Sequence, residues 1–157
     1  MMQIVKLNPE RKALLVAALR SGEYQQGRGR LYDGIEGGYC CYGVACVLAE
    51  APKQLRNSGR FYFGDHSTSD GRLCRWDNLP RSISEWLGIP PESYKDGRIY
   101  IPVHDSDPED LRRCARIAGE YGYGLVVALD SLNDALDDDD KPRFPFERIA
   151  ALIEERL

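Results

Sequence analysis

Two adjacent cysteines stand in the most distinctive stretch of the sequence, "EGGYCCYGVACVLAE", residues 36–50. Gly37 and Gly38 precede them and an apolar run follows, so the pattern predicts a short helix that begins near the cysteines. Backbone N–H groups and the helix dipole at such an N-terminus favour the thiolate form, which makes Cys40 and Cys41 candidate nucleophiles. Cysteine is also among the most frequently buried residue types, so the same residues fit a closely packed core helix.

A catalytic thiol also needs a general base. Histidine occurs only as His66 and His104, and "IYIPVHD" places His104 directly after a predicted strand. The string "CYGVA", which begins at Cys41, is similar to the Cys-Ser-Gly-hydrophobic start of the catalytic helix in NlpC/P60-type cysteine peptidases. This resemblance implies a cysteine peptidase or acyltransferase in which Cys41 or Cys40 works with His104.

Metal binding is not indicated by the cysteines and histidines. Zinc sites usually show ligand pairs two to four residues apart, and the chain has no C-x-x-C or H-x-x-x-H pair. The five cysteines also lack the repeated spacing of a disulfide framework. We therefore expect reduced thiols, no metal and no cofactor.

A second candidate site precedes the cysteines in "YQQGRGRLYDGIEGGYCCYGV", residues 24–44. Its glycines allow the backbone to approach a ligand closely, and the run ends at a predicted helix N-terminus, which favours an anion. Arginine forks suit phosphate or carboxylate, and tyrosine rings stack on a base. The alternative is an ordered loop that covers the core. The functional interpretation predicts a pocket for an anionic, nucleotide-like ligand, formed by Gln25, Gln26, Arg28, Arg30, Tyr32, Tyr39, Cys40, Cys41 and Tyr42.

The elements that must position these residues are mainly helices. In "LNPERKALLVAALRSGEY", Asn8 as N-cap, Pro9 in the first turn and Gly22 as a stop predict the first helix. The helix at the cysteines is apolar on nearly all sides and should lie inside the domain. "FPFERIAALIEERL" predicts an amphipathic helix at the end, whose buried side carries Phe146, Ile149, Ala150, Ile153 and Leu157.

The middle of the chain changes to short β-like pieces, "RFYFG", "RLCRW" and "RIYIPV", with one small helix at "LPRSISEWLGI". Next, "DSDPEDLRRCARIAGEYG" predicts a helix that Gly122 and Gly124 end, and the leucine spacing of "LVVALDSLNDAL" predicts another. The fold class is therefore α+β: a mainly helical single domain over residues 1–157, with a small antiparallel sheet or hairpins in the middle third.

Composition narrows the class of protein further. The 157 residues carry a net charge of −4, which argues against general nucleic-acid binding. The sequence has no apolar run long enough to cross a bilayer and no basic leader followed by an apolar segment, so we expect a cytoplasmic protein that does not bind membranes. The acidic run Asp137 to Asp140 is typical of a solvated loop, with a DNA-mimicking surface or a contact surface for a host protein as the alternatives.

Five segments follow one another along the chain: "ALRSGEYQQGRGRL", "YCCYGVACVLAE", "WLGI", "LND" and "FERIAALIEERL". In this order they resemble a family of small proteins encoded by tailed phages and prophages, with an arginine- and glycine-containing segment and a Cys-Cys-hydrophobic-Gly-Val-hydrophobic-Cys helix. The resemblance implies a phage accessory protein of the host cytoplasm that acts by binding. It would inhibit a host defence system by sequestering an anionic small molecule or a host protein, and it leaves a homo-oligomer open. The thiol enzyme is the alternative.

Overall fold

The structure is a computed structural model that describes residues 5–34, 36–51, 53–55, 61–63, 79–93, 97–117 and 124–157. The predicted strand "RLCRW" and His66 lie outside these ranges. The described helices are α1 (Pro9–Arg20), α2 (Cys41–Leu48), α3 (Arg81–Trp86), α4 (Glu109–Cys114), α5 (Leu129–Asp134) and α6 (Phe146–Arg156), with a short 3-10 helix at Pro91–Ser93. The described strands are β1 (Lys53–Leu55), β2 (Phe61–Phe63), β3 (Tyr100–Val103), β4 (Arg116–Ile117) and β5 (Leu125–Ala128).

Helices α1 and α6 form the main helical pair of the domain. The predicted start of α1 is confirmed, since the Asn8 side chain accepts hydrogen bonds from the backbone N–H groups of Glu10 and Arg11, each at 3.1 Å. The buried stripe predicted for α6 is confirmed at all five positions. A backbone hydrogen bond of 3.1 Å from Leu7 to the carbonyl of Leu157 joins the two ends of this pair.

The strands within the described ranges form two small antiparallel sheets. β1 pairs with β2, while β5 lies between β3 and β4 in a three-stranded sheet. Pro102 lies in β3 at an edge of that sheet, where a missing N–H is tolerated. The predicted α+β class is confirmed.

Two predicted helices are wrong in part. The leucine spacing in "LVVALDSLNDAL" predicted one helix, but its first four residues form β5 and only Leu129–Asp134 forms α5. The two valines of β5 suit a buried central strand, and pairing on both sides overrides the helical spacing. Likewise α4 ends at Cys114, far before Gly122, because the chain becomes extended at Ala115 and pairs with β5. The sheet therefore extends beyond the middle third of the chain.

Helix α2 lies in the core, as its composition predicted. Its first six residues are buried, and Val44, Ala45 and Cys46 are fully enclosed. It contacts both α1 and α5. Among the helices within the described ranges, none has the length and apolar character to cross a membrane.

Candidate functional site

The segment before α2, which we call the arginine–tyrosine loop, is described over residues 24–34 and 36–40. Its backbone lies directly on α2 at Gly43, where an added Cβ would be 1.7 Å from the carbonyl oxygen of Leu31. Within the loop, a Cβ on either Gly27 or Gly38 would lie 2.8 Å from backbone atoms of the other. These backbone contacts leave no room for a side chain, so they require glycine.

The loop is closed by backbone hydrogen bonds to Tyr39. The Gly27 N–H donates to the Tyr39 carbonyl at 2.7 Å, and the Tyr39 N–H donates to the Gln25 carbonyl at 2.8 Å. The Cys40 N–H donates to the carbonyl of Leu31 at 3.3 Å, and Leu31 is buried. The loop is therefore an ordered layer over the core, as the alternative interpretation predicted.

The amide of Asn133 on α5 connects the loop to α2. Its Oδ1 accepts the Cys41 N–H at 3.2 Å, and its Nδ2 donates to the Gly27 carbonyl at 2.8 Å. The same Nδ2 lies 3.1 Å from Oδ1 of Asp134, which also accepts the Gly29 N–H at 2.8 Å. Asn133 is only 1% exposed, so these bonds form in a region shielded from water.

Gln26 has a structural role that its sequence context did not reveal. Its Nε2 donates to the Phe144 carbonyl at 3.0 Å, and its Oε1 accepts the Phe146 N–H at 2.9 Å. The second bond satisfies a free N–H at the start of α6, where Pro145 supplies no capping side chain. The amide of Gln26 thus joins the loop to α6 and is already engaged at both polar atoms.

Three tyrosine rings of the loop form a row. Tyr24 and Tyr39 meet edge to face with ring centroids 5.6 Å apart, and the centroids of Tyr32 and Tyr39 are 4.7 Å apart. All three rings are half-buried, and burial raises the pKa of the Tyr39 phenol. We call these three residues the tyrosine row. It gives the loop that carries Arg28 and Arg30 a partly accessible aromatic surface.

The outer side of the loop carries two arginine side chains and one glutamine side chain. Arg28 and Gln25 are exposed, while Arg30 is half-buried. Arg28 lies between the two glycines whose peptide groups are bonded to α5. The exposed guanidinium at this turn is the group best placed to bind an anion from solvent.

Of the two roles considered for the cysteines, the structure favours the buried core role. Cys40 and Cys41 are 3% and 1% exposed. Burial raises the pKa of the Cys40 thiol to about 12, although the nearby N–H groups of Gly43 and Tyr42 act in the opposite direction. Burial also raises the pKa of Cys41 well above its ordinary value. Both thiols are therefore neutral core groups, and desolvation outweighs the helix N-terminus.

Tyr42 is also a core residue rather than part of an open pocket. Its hydroxyl accepts the Ile99 N–H at 2.8 Å and donates to Oδ1 of Asp130 at 3.3 Å. Asp130 in turn forms an ion pair of 3.2 Å with Arg98. Burial raises the pKa of Asp130, opposed by the Arg98 charge. The N–H of Cys41 is bound by Asn133, and the carboxylates of Asp130 and Asp134 lie nearby. The N-terminus of α2 therefore does not offer the anion site that its sequence suggested.

His104 lies at a separate place, directly after β3. Its backbone N–H donates to Oδ2 of Asp107 at 2.7 Å. An open cavity of about 390 Å³ is lined by Val103, His104, Asp105, Gly124 and Leu125, and neither Cys40 nor Cys41 is part of that lining. Across the part of the chain that the structure describes, no group of three or more His, Cys, Asp or Glu side chains is arranged to hold a metal ion.

Sequence reasoning missed three residues of this site, Asp130, Asn133 and Asp134. Their spacing places them on one face of α5, the face that meets Tyr42 and the loop. The segment "LND", which contains Asn133 and Asp134, was one of the five segments on which the resemblance rests, and this was the signal available. As a local pattern, these residues are equally typical of ordinary helix ends.

The comparison with protein families identifies the chain as a member of the DUF8296 family, a domain of unknown function. The family model matches residues 7–157, which includes all the described helices and strands. Searches of curated proteins and of solved structures each found no match to this chain.

Proposed function

We propose that this protein acts by binding, and that the outer side of the arginine–tyrosine loop is its binding surface. The observation that carries the proposal is the exposed Arg28 on a turn fixed to the core, in the same loop as the tyrosine row. In this proposal Arg28 and Arg30 pair with an anionic group, and Gln25 supplies a further polar contact. The former pocket residues Gln26, Cys40, Cys41 and Tyr42 support the surface from beneath.

The chemistry of this surface favours a nucleotide-like ligand. A guanidinium forms two parallel hydrogen bonds with a phosphate, and a tyrosine ring stacks on a base. A small anion alone would use the arginines but not the half-buried rings of the tyrosine row. The biological setting of the proposal, a phage accessory protein that inhibits a host defence system, rests on the resemblance of the five sequence segments.

Binding is favoured over thiol catalysis by the state of the cysteines. A nucleophilic cysteine needs an accessible thiolate and a base within hydrogen-bond reach. Cys40 and Cys41 are buried and neutral, and the cavity beside His104 has neither of them in its lining. The described cysteines and His104 therefore favour binding over the thiol enzyme.

The first test is a native mass spectrum of the protein purified from cells. We expect an additional mass of nucleotide size that is lost on denaturation, and the same spectrum gives the oligomeric state. A protein mass without such an addition, together with a host protein that copurifies in stoichiometric amount, would contradict a small ligand and favour the protein partner.

The second test is the double variant Arg28→Ala, Arg30→Ala. We expect at least about tenfold weaker binding of the identified ligand, and the single change Arg28→Ala should leave the melting temperature nearly unchanged, because Arg28 is exposed. The matched control is Arg81→Ala, Arg113→Ala, which removes the same charge from two exposed arginines outside the loop. Equal affinity in the loop variant and the control would rule out the loop as the binding surface.

A further inference from the structure

Both peptide groups that flank Arg28 are held by helix α5. The carbonyl of Gly27, in the peptide before Arg28, accepts a hydrogen bond of 2.8 Å from Nδ2 of Asn133. The N–H of Gly29, in the peptide after Arg28, donates a hydrogen bond of 2.8 Å to Oδ1 of Asp134. Arg28 is the exposed member of this turn, while the residues on either side are partly covered.

We infer that Asn133 and Asp134 are positioning residues of the binding surface, which fix the direction in which Arg28 meets a nucleotide. The inference rests on the proposed function and adds to it a pair of residues that need not touch the ligand. Fixing the backbone on both sides of Arg28 before binding lowers the entropy that must be lost when the complex forms.

Local sequence alone does not hold this turn, so its conformation depends on the hydrogen bonds of Asn133 and Asp134. Gly29 has φ +69°, a left-handed conformation that is not held by any regular element. Asn133 ties the turn to the start of α2 through the Cys41 N–H. The turn, α2 and α5 are thereby joined at a single buried amide.

Variants of Asp134 can separate the effect of its charge from its effect on the position of the turn. A carboxylate near Arg28 works against an anionic ligand, whereas its role as acceptor for the Gly29 N–H favours the turn. Asparagine keeps an acceptor oxygen and removes the charge, while alanine removes both. Asp134 is also a safer position than Asn133, whose removal would leave the buried Cys41 N–H and the partly buried Gly27 carbonyl without these partners.

The experiment compares Asp134→Ala and Asp134→Asn in the full chain, with ATP as the probe. Calorimetric titration gives the affinity, and 15N relaxation of the Gly27, Arg28 and Gly29 amides gives the order of the turn. We expect about tenfold weaker ATP binding in Asp134→Ala, with order parameters falling from about 0.85 to below about 0.6. In Asp134→Asn the turn stays ordered and ATP binds at least as tightly as to the unchanged protein. The control Asp138→Ala removes one acidic charge from a fully exposed side chain and should change neither readout.

Each outcome separates this inference from the proposed function. If the unchanged protein does not bind ATP, the adenine-nucleotide form of the proposed function fails, and the inference for that ligand fails with it. If it binds ATP and Asp134→Ala binds equally well, the binding surface stands and the positioning role is overturned. An ordered turn in Asp134→Ala would overturn the positioning role whatever the affinity.

Discussion

At the scale of single residues, Gly43 decides how closely the loop approaches α2. Glycine within a helix costs about 1 kcal/mol relative to alanine, so propensity alone favours its replacement. The carbonyl of Leu31 occupies the space that a Cβ would need, at 1.7 Å from the ideal position. The steric cost of an added Cβ at Gly43 is much larger than the gain in helix propensity, because the backbone of either the loop or α2 must move.

We therefore expect Gly43→Ala to lower the free energy of unfolding by at least about 3 kcal/mol. The control is Gly37→Ala, a position with φ +77° and nothing within 4 Å of the added Cβ. That change should cost only about 1 kcal/mol, from backbone strain. Urea denaturation of both variants checks the difference. Equal losses would mean that the loop does not lie on α2.

The thiols give a second prediction at this scale. Cys40, Cys41 and Cys46 are buried, whereas Cys114 is half-exposed. Among these four cysteines of the described residues, iodoacetamide should modify Cys114 first in the folded protein and reach the other three only after unfolding, because alkylation requires an accessible thiolate. Peptide mapping by mass spectrometry identifies the modified residue. Fast alkylation of Cys40 or Cys41 near neutral pH would revive the thiol enzyme.

At the scale of elements, an almost buried ion pair fixes α6 against the segment between β3 and α4. Arg156 donates to both carboxylate oxygens of Asp107, at 2.8 and 2.6 Å, and to the Pro102 carbonyl at 2.7 Å. The two side chains are 7% and 9% exposed. Hydrogen bonding from Arg156 lowers the pKa of Asp107 to about 2, with a further contribution from the His104 N–H.

This pair predicts how stability depends on pH. Because the pKa of Asp107 is lower in the folded state, its contribution is present above about pH 4 and is lost as the pH falls towards 2. Asp107→Asn should cost about 3 kcal/mol at neutral pH, since Arg156 is left without its buried partner. It should also flatten the decline in stability between about pH 4 and pH 2. Urea unfolding across this range, with Asp138→Asn as the exposed control, measures both effects. An unchanged slope in Asp107→Asn would contradict the assignment.

The elements differ in how much of them local sequence determines. α1 and α6 could be predicted because a cap or an apolar stripe is encoded within the element itself. β5 and the end of α4 could not, because both depend on strand pairing between segments separated along the chain. Val126 and Val127 favour a strand, but the leucines around them also fit a helix.

At the scale of the whole molecule, the net charge of −4 sets the expected behaviour towards nucleic acids. A protein without a broad basic surface gains little from counterion release on a phosphate backbone. We expect no binding tighter than about 100 µM to a 20-base-pair duplex at about 0.15 M salt, measured by fluorescence anisotropy. Strong, salt-sensitive binding would show that the local basic residues act together on a polymer.

The candidate site shows where prediction from sequence ends. Residue types and glycine spacing predict a site at the arginine–tyrosine loop and its arginines, and this stays a prediction. They could not reveal that Gln26 is used by α6 or that Asn133 bonds to Gly27, because these partners are separated by 120 and 106 residues. Nor could they decide whether the cysteines are reactive, since burial in the folded chain determines that.

The glycine contacts of the loop have a consequence for how its chemistry can vary. The contacts at Gly27, Gly38 and Gly43 are made between backbone atoms, so no side chain takes part in them. The exposed Arg28 and Gln25 are therefore uncoupled from packing. Under the proposed function, new residues at these two positions would change what the surface recognises while leaving the folded framework intact, so related chains could diverge in ligand preference without redesigning the core.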